Sequence, residues 1–347
     1  MRILQLRHWL EAADDKRLVL DLDSEARFSV RVFDTPPQVV LQVHGAELAE
    51  SLDETFPGDP VLRRVYARPT DAGVEIVIQF SRTSQASVFP QAPSGDRGHR
   101  IVVDITPRLS DDERAAREAQ VRAVRESGDR IVAIDPGHGG EDPGTVYGRL
   151  QEKHVALAVG RLLRDELNRR QGLRAILTRS SDTFIPLGRR QSIARQYGAH
   201  LFVSLHVNSA PSKARGAEVF FSSIEGSEDK AARELVDREN AADLVGGVPP
   251  EQVNAPIVDI LMDMTRNQTM KLSEALAEML LDHLGRVEGA ALRDVKQGPL
   301  AVLKSIDKPS VLVELGFITS RDDRILLVQA QRAYAARLAD GIAEYLG

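Results

Sequence analysis

The stretch that most constrains this chain is Ile131–Gly140, IVAIDPGHGG, in which a short apolar run ends in a glycine-rich turn that presents one histidine. β-Branched residues bounded by proline and glycine are typical of a buried central strand in an α/β sheet. Ligands collect at the carboxyl ends of such strands. The glycines let the backbone turn tightly beside whatever His138 binds. A histidine that only stabilises the turn is the alternative that these ten residues leave open.

From residue 130 onward, strand patterns alternate with helix patterns. This alternation predicts an α/β domain with a mostly parallel twisted sheet flanked by helices. The predicted strands are 131–134, 174–178, 201–205, 218–221 and 311–314, and the main predicted helices are 155–169, 189–197, 271–284 and 330–346. Three of the strands end at or near His138, His206 and Glu314.

The first 106 residues read instead as a small all-β sandwich with a binding or targeting role. Short runs rich in Val, Ile, Leu and Phe are separated by Asp, Gly and Pro, at 17–22, 28–33, 38–43, 73–80 and 100–105. Its histidines, His8, His44 and His99, are scattered and form no catalytic set. Residues 107–129 are about half charged, with opposite charges at helical i,i+4 spacing, which predicts a solvated linker between two domains.

Composition excludes several classes of protein. The 347 residues include no cysteine, so disulfides, thiolate metal sites and a cysteine nucleophile are ruled out. A net charge of -6 argues against a general nucleic-acid binder. No run approaches the ~18 consecutive apolar residues of a membrane span. Residues 1–20 lack the apolar core of a signal peptide, so the expectation is either a cytoplasmic protein or the mature part of an exported one.

The residues at the strand ends suit zinc chemistry. A catalytic zinc takes about three protein ligands from His, Asp or Glu and leaves a position for water. His138 and His206 supply two nitrogen donors, and a sheet is needed to bring them together. Glu152 begins a predicted helix just after the glycine-rich loop; it is either a ligand or an acid stabilised by the helix dipole. His154, two residues later, is a rival ligand that would lie on another side of the helix.

These motifs together resemble a known family. Residues 131–346 are similar to the zinc-dependent N-acetylmuramoyl-L-alanine amidases of the Amidase_3 family. The matching segments occur in the family's order: IDPGHGGEDPG at 134–144, EKHVAL at 152–157, LTRSSDTFIPLGRR at 177–190, AHLFVSLHVN at 199–208, GAEVF at 216–220 and PSVLVELGF at 309–317. Residues 1–106 resemble the AMIN domain that precedes the catalytic domain in cell-division amidases, by pattern and position without a sharp motif.

The resemblance implies a peptidoglycan hydrolase that cleaves the amide bond between N-acetylmuramic acid and L-alanine. One zinc ion would be held by His138, Glu152 and His206. Glu314 would be the general base for a zinc-activated water. An acid paired with an arginine is the alternative for Glu314.

Other charged and polar residues of the same domain receive a less specific interpretation. Arg179, Asp182 and Arg190 form a set that either holds loops through internal ion pairs or contacts substrate. Asn208, two residues after His206, is placed to orient substrate or a water near the metal.

The segment 222–267 is long for a connection in a compact domain, which usually indicates a functional loop. It contains a predicted helix at 230–244 and a second apolar helical piece at 257–264. In the division-associated amidases, a glutamate in an EN pair fills the open zinc position until an activator displaces its helix; here that residue is Glu239. An ordinary acid on a helix surface is the alternative. Apolar residues of the second piece could form the surface that a LytM-type activator binds, or they could pack against the domain. These residues are Val258, Ile260, Leu261, Met262 and Met264.

Two other functions use the same features. A zinc carboxypeptidase or endopeptidase could cut the peptide stem with the same metal and glutamate. A non-catalytic cell-wall binding protein would keep the fold with a degenerate site, against which the complete set of ligands argues. The resemblance also implies a periplasmic location and binding of septal peptidoglycan by residues 1–106.

Overall fold

The computed structural model describes residues 1–9, 16–93, 98–210, 214–223, 229–245, 263–304 and 307–347. The chain divides into two compact units, Met1–Arg114 and Ala115–Gly347. Each unit is described by itself.

The first unit consists of two five-stranded sheets. Its strands are β1 Arg2–Trp9, β2 Lys16–Leu22, β3 Phe28–Asp34, β4 Pro37–His44, β5 Glu47–Leu48, β6 Asp53–Thr55, β7 Leu62–Thr70, β8 Gly73–Phe80, β9 Ser84–Gln91 and β10 His99–Pro107. One sheet has the order β5-β1-β2-β10-β9, and the other has the order β3-β4-β8-β7-β6. Alternate apolar residues of β2, β4, β8 and β10 fill one shared core. The predicted β-sandwich is therefore confirmed.

Half of these strands were not predicted. The missed strands are β1, β5, β6, β7 and β9. Arginine, glutamine, serine or proline interrupts β1, β7 and β9, where a strand signal needs β-branched and aromatic residues, and β5 and β6 are only two and three residues long. Pro90 lies in β9, which is an edge strand and so can lack one donor without breaking a ladder. Pairing with stronger neighbours, rather than local propensity, makes these segments extended.

Helix α1, Asp111–Arg125, forms most of the segment predicted as a linker. Ser110 and Glu113 cap it reciprocally: the Glu113 amide donates to Ser110 Oγ at 3.2 Å, and the Ser110 amide donates to Glu113 Oε2 at 2.8 Å. This is a capping box, which satisfies two amides that a helix start would leave unpaired. Most of its side chains are exposed, in keeping with its high charge.

The second unit is built on a six-stranded sheet of order β14-β11-β15-β18-β16-β17. The strands of this sheet are β11 Arg130–Pro136, β14 Leu173–Leu177, β15 Leu201–Asn208, β16 Ala217–Ser222, β17 Leu292–Gly298 and β18 Ser310–Phe317. The short strands β12 Val146–Tyr147 and β13 Leu150–Gln151 form a separate two-stranded sheet. Only the β16–β18 pair of this sheet is antiparallel. The helices are α2 Glu152–Asn168, α3 Leu187–Gln196, α4 Lys230–Asn240, α5 Ala242–Val245, α6 Asp263–Leu284, α7 Arg321–Gln329 and α8 Gln331–Leu346. The α/β prediction is confirmed.

The two faces of this sheet have different coverings. One face packs an apolar cluster against α2, α6 and α8. The other face packs Phe202, Phe220 and Leu312 against α3, α4 and the 3-10 helix Ala301–Leu303. Because side chains alternate along a strand, His206 and Glu314 lie on this second face, in line with Phe202 and Leu312.

Two strand boundaries differ from the prediction in a way that matters for the site. His206 and Glu314 do not end their strands, because β15 continues to Asn208 and β18 to Phe317 across a register shift after His206. His138 lies two residues beyond β11. Residues 257–262 of the predicted helix 257–264 fall outside the described residues, as do the side chains of Val258, Ile260, Leu261, Met262 and Met264.

Candidate metal centre

Four buried side chains converge near the carboxyl ends of the interior strands β11 and β15: His138, Glu152, His206 and Glu239. Each offers one ligand atom, and these atoms all lie within 4.8 Å of one another. They come from the loop after β11, the first residue of α2, the strand β15 and the helix α4. Two histidines and two carboxylates in this arrangement could hold one metal ion.

A strained left-handed turn orients His138. It is the non-glycine residue with a left-handed backbone in the described chain, at φ 58°. Such a conformation costs on the order of 1 kcal/mol or more and persists where the surroundings impose it. Gly139 continues the turn at φ 126°, where a side chain would strike the Thr183 carbonyl. The turn aims the imidazole inward.

Asp142 fixes the orientation of His138, and sequence reasoning did not identify it. His138 Nδ1 lies 2.6 Å from Asp142 Oδ2, and Asp142 Oδ1 accepts a hydrogen bond from the Gly144 amide. A proton held on Nδ1 by this carboxylate leaves Nε2 as the free donor atom. The signal was present as the fourth residue after His138 in the glycine-rich loop.

Glu152 is fully buried and satisfied on both carboxylate oxygens. Oε2 accepts from the amide and the hydroxyl of Thr145, and Oε1 accepts from the Val207 amide at 2.8 Å. Oε1 also lies 3.0 Å from both His138 Nε2 and His206 Nδ1. Burial would raise the pKa of Glu152, but the two imidazoles outweigh it and lower this pKa, which keeps the group charged.

Glu239 lies opposite Glu152 across the same two imidazoles. Its Oε2 is 3.3 Å from His138 Nε2 and 3.1 Å from His206 Nδ1. Burial would lower the pKa of His206, yet Glu239 and Glu152 raise it to about 9. Two carboxylates in this centre thus stabilise positive charge between them, and a divalent cation supplies such charge when it displaces protons from its ligands.

The hydrogen bonds of the centre are incomplete. Within the described ranges, His138 Nε2 and Glu239 Oε2 are buried without a hydrogen-bond partner, although they lie 3.3 Å apart. Buried polar atoms are rarely left unsatisfied, because the loss costs about 1–3 kcal/mol. Both residues belong to the group of four whose ligand atoms lie within 4.8 Å of one another, so the donor set fits a metal ion.

Glu314 lies beside this centre. It pairs with His206 in the register of β18 and β15, and its side chain is fully buried. Both carboxylate oxygens lack a hydrogen-bond partner among the described residues. Burial, reinforced by the charges of Glu152 and Glu239, raises the pKa of Glu314 well above its usual value. The arginine partner considered for it is not found among the described side chains.

The two predicted arginines hold the loop that carries His138. Arg179 donates to the carbonyls of Pro136 and Gly137, and Arg190 donates to those of Pro136 and His138. Arg190 also pairs with the fully buried Asp135 at 3.0 Å. Both guanidiniums are buried and occupied by these contacts.

Asp182 and His154 lie outside the metal centre. Asp182 accepts from the Gly140 amide and from Lys153 Nζ, so it holds the same loop from another side. His154 is more than half exposed and is 3.5 Å from Asp182. The structure does not bring this rival ligand into the group of four.

Helix α4 is fixed over the centre at its carboxyl end. Arg238 Nε donates to Glu239 Oε1 at 3.1 Å, and its terminal nitrogen donates to Asn208 Oδ1 at 3.2 Å. The Asn240 side chain donates to the Pro299 carbonyl and accepts from the Ala301 amide at 2.7 Å. Asn208 therefore contacts the helix rather than open solvent.

Comparison with known proteins identifies the chain. Residues 132–346 match the model of N-acetylmuramoyl-L-alanine amidase, Amidase_3, and residues 5–106 match the AMIN domain. These matches define an amidase domain preceded by an AMIN domain. The chain belongs to the N-acetylmuramoyl-L-alanine amidase family. The family is one of peptidoglycan amidases, as the motifs predicted.

Curated relatives agree over most of the chain. The N-acetylmuramoyl-L-alanine amidase AmiC of Neisseria meningitidis is 32% identical over 95% of this chain and 86% of its own length. AmiA of Escherichia coli is 40% identical over 65% of this chain and 78% of its own length. The solved amidase AmiC2 of Nostoc punctiforme is 29% identical, covers 62% of this chain and 96% of its own, and superposes with a TM-score of 0.46. Among the described residues, no helix combines the length and apolar character needed to cross a membrane.

Proposed function

We propose that this amidase hydrolyses the bond between N-acetylmuramic acid and L-alanine with one zinc ion held by His138, Glu152 and His206. Two imidazoles and one carboxylate form a typical catalytic zinc set. The observation that carries the proposal is the group of four buried ligand atoms within 4.8 Å of one another, two of which, His138 Nε2 and Glu239 Oε2, have no hydrogen-bond partner among the described residues. In this proposal residues 130–347 form the catalytic domain, residues 1–106 the AMIN domain and 107–129 the linker.

The residues around the centre have distinct tasks. A zinc ion held there would supply a coordinated water of lowered pKa and would polarise a carbonyl. Asp142 holds His138 with its Nε2 facing the metal position. Glu314 takes a proton from the attacking water and delivers it to the leaving amine of L-alanine. Its two oxygens have no hydrogen-bond partner among the described residues, which suits a group that accepts and then releases a proton.

We also propose that the enzyme rests in an inhibited state. Glu239 lies within 3.3 Å of both histidines and would take the position that a catalytic water needs. Helix α4 is anchored by Asn240 and Arg238, so this carboxylate is held in place. A LytM-type activator would displace α4 and free the position during cell separation.

The cellular setting follows from the pairing of the two domains. The AMIN domain would bind septal peptidoglycan, and the amidase would act there in the periplasm. This setting supplies both the substrate and the activator.

Product analysis tests the reaction. The protein is stripped of metal with a chelator, restored with one equivalent of zinc, and incubated with purified peptidoglycan. Mass spectrometry should find intact stem peptides with an L-alanine amino terminus only after zinc is restored. Shortened stems would indicate a peptidase instead, and full activity of the stripped protein would contradict the metal assignment.

Inhibition is tested by Glu239→Ala. The basal rate on purified peptidoglycan should rise at least tenfold, because the blocking carboxylate is gone. The matched control is Glu234→Ala, on the same helix but exposed, which should leave the rate within twofold. An unchanged or lower rate for Glu239→Ala, with zinc content intact, would remove Glu239 from this role.

The activator is tested by addition of a purified LytM-type domain. It should stimulate the unaltered enzyme strongly and the Glu239→Ala variant little, since that variant no longer needs release. Equal stimulation of both proteins would mean that the activator acts elsewhere.

A further inference from the structure

A compact charge cluster lies at the amino-terminal end of α4. Its Glu218 connects it to the metal centre, because Glu218 pairs with Glu314 in the sheet and accepts a hydrogen bond from Asn208 Nδ2 at 3.2 Å. Lys296 Nζ is 3.0 Å from Asp229 Oδ2 and 3.1 Å from Glu218 Oε1. Arg293 donates to the same oxygen of Glu218. Asp229 is also the N-cap of α4, where its Oδ1 accepts from the Ala231 amide at 3.0 Å. One helix therefore presents a carboxylate at each end, Asp229 to this cluster and Glu239 to the metal centre.

The charges of the cluster balance only while α4 is in place. On β17, Arg293 contacts Glu218 of β16. Lys296 contacts both Glu218 and Asp229 of the helix. When α4 leaves, Asp229 leaves with it, and two cations remain around one carboxylate. Burial would lower the pKa of Lys296, but its hydrogen bonds to Asp229 and Glu218 outweigh this effect and raise that pKa. When Asp229 leaves, the lysine loses one of its two anionic partners, and another carboxylate can take that place.

The cluster and the metal centre lie along one path on the sheet. The strands β15, β18, β16 and β17 are neighbours in that order, and adjacent strands are about 4.8 Å apart. His206 on β15 and Lys296 on β17 are thus roughly 14 Å apart across the sheet. The ten-residue step from Asp229 to Glu239 along the helix spans about 15 Å, so α4 covers the path from end to end.

The helix lies directly on this path. Ala232, Leu235 and Val236 pack on the same apolar cluster as Phe220. At Gly298 a side chain would come within 2.5 Å of Val236, so the absence of a side chain there lets the helix approach. Displacement of α4 would therefore open a trough with apolar walls, a metal position at one end and excess positive charge at the other.

We propose that Lys296, assisted by Arg293, is a recognition site for a carboxylate of the peptide stem, and that Asp229 occupies this site in the inhibited state. Extended peptide spans about 3.3–3.6 Å per residue, so the carboxylate belongs to roughly the third or fourth residue after the scissile amide. The glycan offers neutral hydroxyl and acetamide groups, whereas the stem carries carboxylates. The inhibitory helix then blocks both ends of the trough, because Glu239 takes the position of the catalytic water and Asp229 takes that of the stem carboxylate.

This inference rests on the proposed displacement of α4, so the test uses the Glu239→Ala protein. The substrates are two soluble muramoyl tetrapeptides, one with free stem carboxylates and one in which these carboxylates are amidated. Lys296→Gln should raise KM for the free acid about tenfold and leave kcat within twofold. For the amidated peptide, Lys296→Gln should change KM less than twofold. Lys296→Arg should keep the preference for the free acid, and Lys271→Gln, at an exposed lysine of α6, is the control for net charge.

Direct binding separates failure of this inference from failure of the inhibition proposal. Calorimetry of the released free-acid peptide with the unaltered protein and with Asp229→Asn needs no turnover. Asp229→Asn should bind the peptide at least fivefold more tightly, and addition of Lys296→Gln should abolish that gain. Equal effects of Lys296→Gln on free and amidated peptides, or no effect on either, would overturn the inference even if Glu239→Ala is fully active.

Discussion

Two buried glutamates, one in each unit, show how differently the two sheets use charge. Glu75 on β8 of the sandwich is 7% exposed and accepts hydrogen bonds from Arg31 at 3.3 Å and from Arg68 at 3.0 Å. Glu314 on β18 is fully buried, and neither of its oxygens is bonded within the described part of the chain. Both lie in interior strands of their sheets, so strand position does not explain the difference.

The difference distinguishes a charged group that stabilises the fold from one that is available for catalysis. Ionised groups inside a protein are costly unless paired and hydrogen-bonded. The sandwich pairs its charged side chains, as Arg17 does with Asp104 and Arg64 with Asp53. The second unit keeps an unpaired carboxylate beside two histidines, which stability alone does not favour. Perturbed, unsatisfied groups of this kind concentrate at functional sites.

The substitution with the largest expected effect is Glu314→Gln, which tests whether this glutamate is chemical rather than structural. Loss of the proton acceptor should lower kcat on soluble muramoyl peptides by about 10²–10⁴-fold, the range for general bases. Zinc content should stay at one per chain, as measured by mass spectrometry of the metal. Glu75→Gln is the matched control and should keep activity within twofold. A Glu314→Gln enzyme that retains most of its activity would make Glu314 another structural acid.

A smaller effect is expected for the residue that orients His138. Asp142→Ala removes the acceptor of the His138 Nδ1 proton and should weaken zinc binding about 10–100-fold. Competition with a chromophoric chelator measures this affinity. The control is Asp340→Ala, which removes a carboxylate on α8 that pairs with Arg170. This variant should leave the zinc affinity unchanged. Equal affinities for all three proteins would show that the contact does not tune the metal site.

Metal removal should distinguish the two units by stability. A ligand that binds only the folded state stabilises it by about 4 kcal/mol at a thousand times its Kd. The thermal transition of the second unit should therefore fall by roughly 10 °C on chelation. The sandwich transition should not move. Calorimetry of the full chain with and without chelator measures both, and a parallel fall of both transitions would contradict a site confined to the second unit.

The smallest effect is expected in the sandwich. Glu75→Gln should cost less than about 1 kcal/mol, because its arginine partners are mostly exposed and water screens such pairs. Chemical denaturation followed by circular dichroism gives the change in unfolding free energy. A loss of several kcal/mol would mean that Glu75 is as unusual as Glu314, and the comparison would fail.

The sequence allowed prediction of the architecture where hydrophobic patterns are strong. The strand before His138 and the helix that begins at Glu152 are examples, because β-branched runs and amphipathic periodicity are local signals. Strands such as β7 and β9 carry no such signal, and only pairing across the sheet defines them. His206 and Glu314 were placed at strand ends because nothing in their neighbourhood marks the register shift that lets β15 and β18 continue.

Candidate site residues were predictable when a motif carried them, and less so when folding brought them in. Asp142 was not identified because its role depends on the left-handed turn at His138. The pairing of Asp135 with Arg190 joins residues 55 apart in sequence. Lys296 lies in LRDVKQG, which has no recognisable motif, and only the sheet order brings it under the end of α4.

The most direct test of the account is the position and coordination of zinc in crystals of the unaltered, zinc-loaded protein, measured by anomalous diffraction at the zinc edge. We expect one zinc bound by His138 Nε2, His206 Nδ1 and a carboxylate oxygen of Glu152, with Glu239 as the fourth ligand. Water in place of Glu239 would contradict the inhibited resting state. Zinc bound at any other set of residues would contradict the metal centre itself.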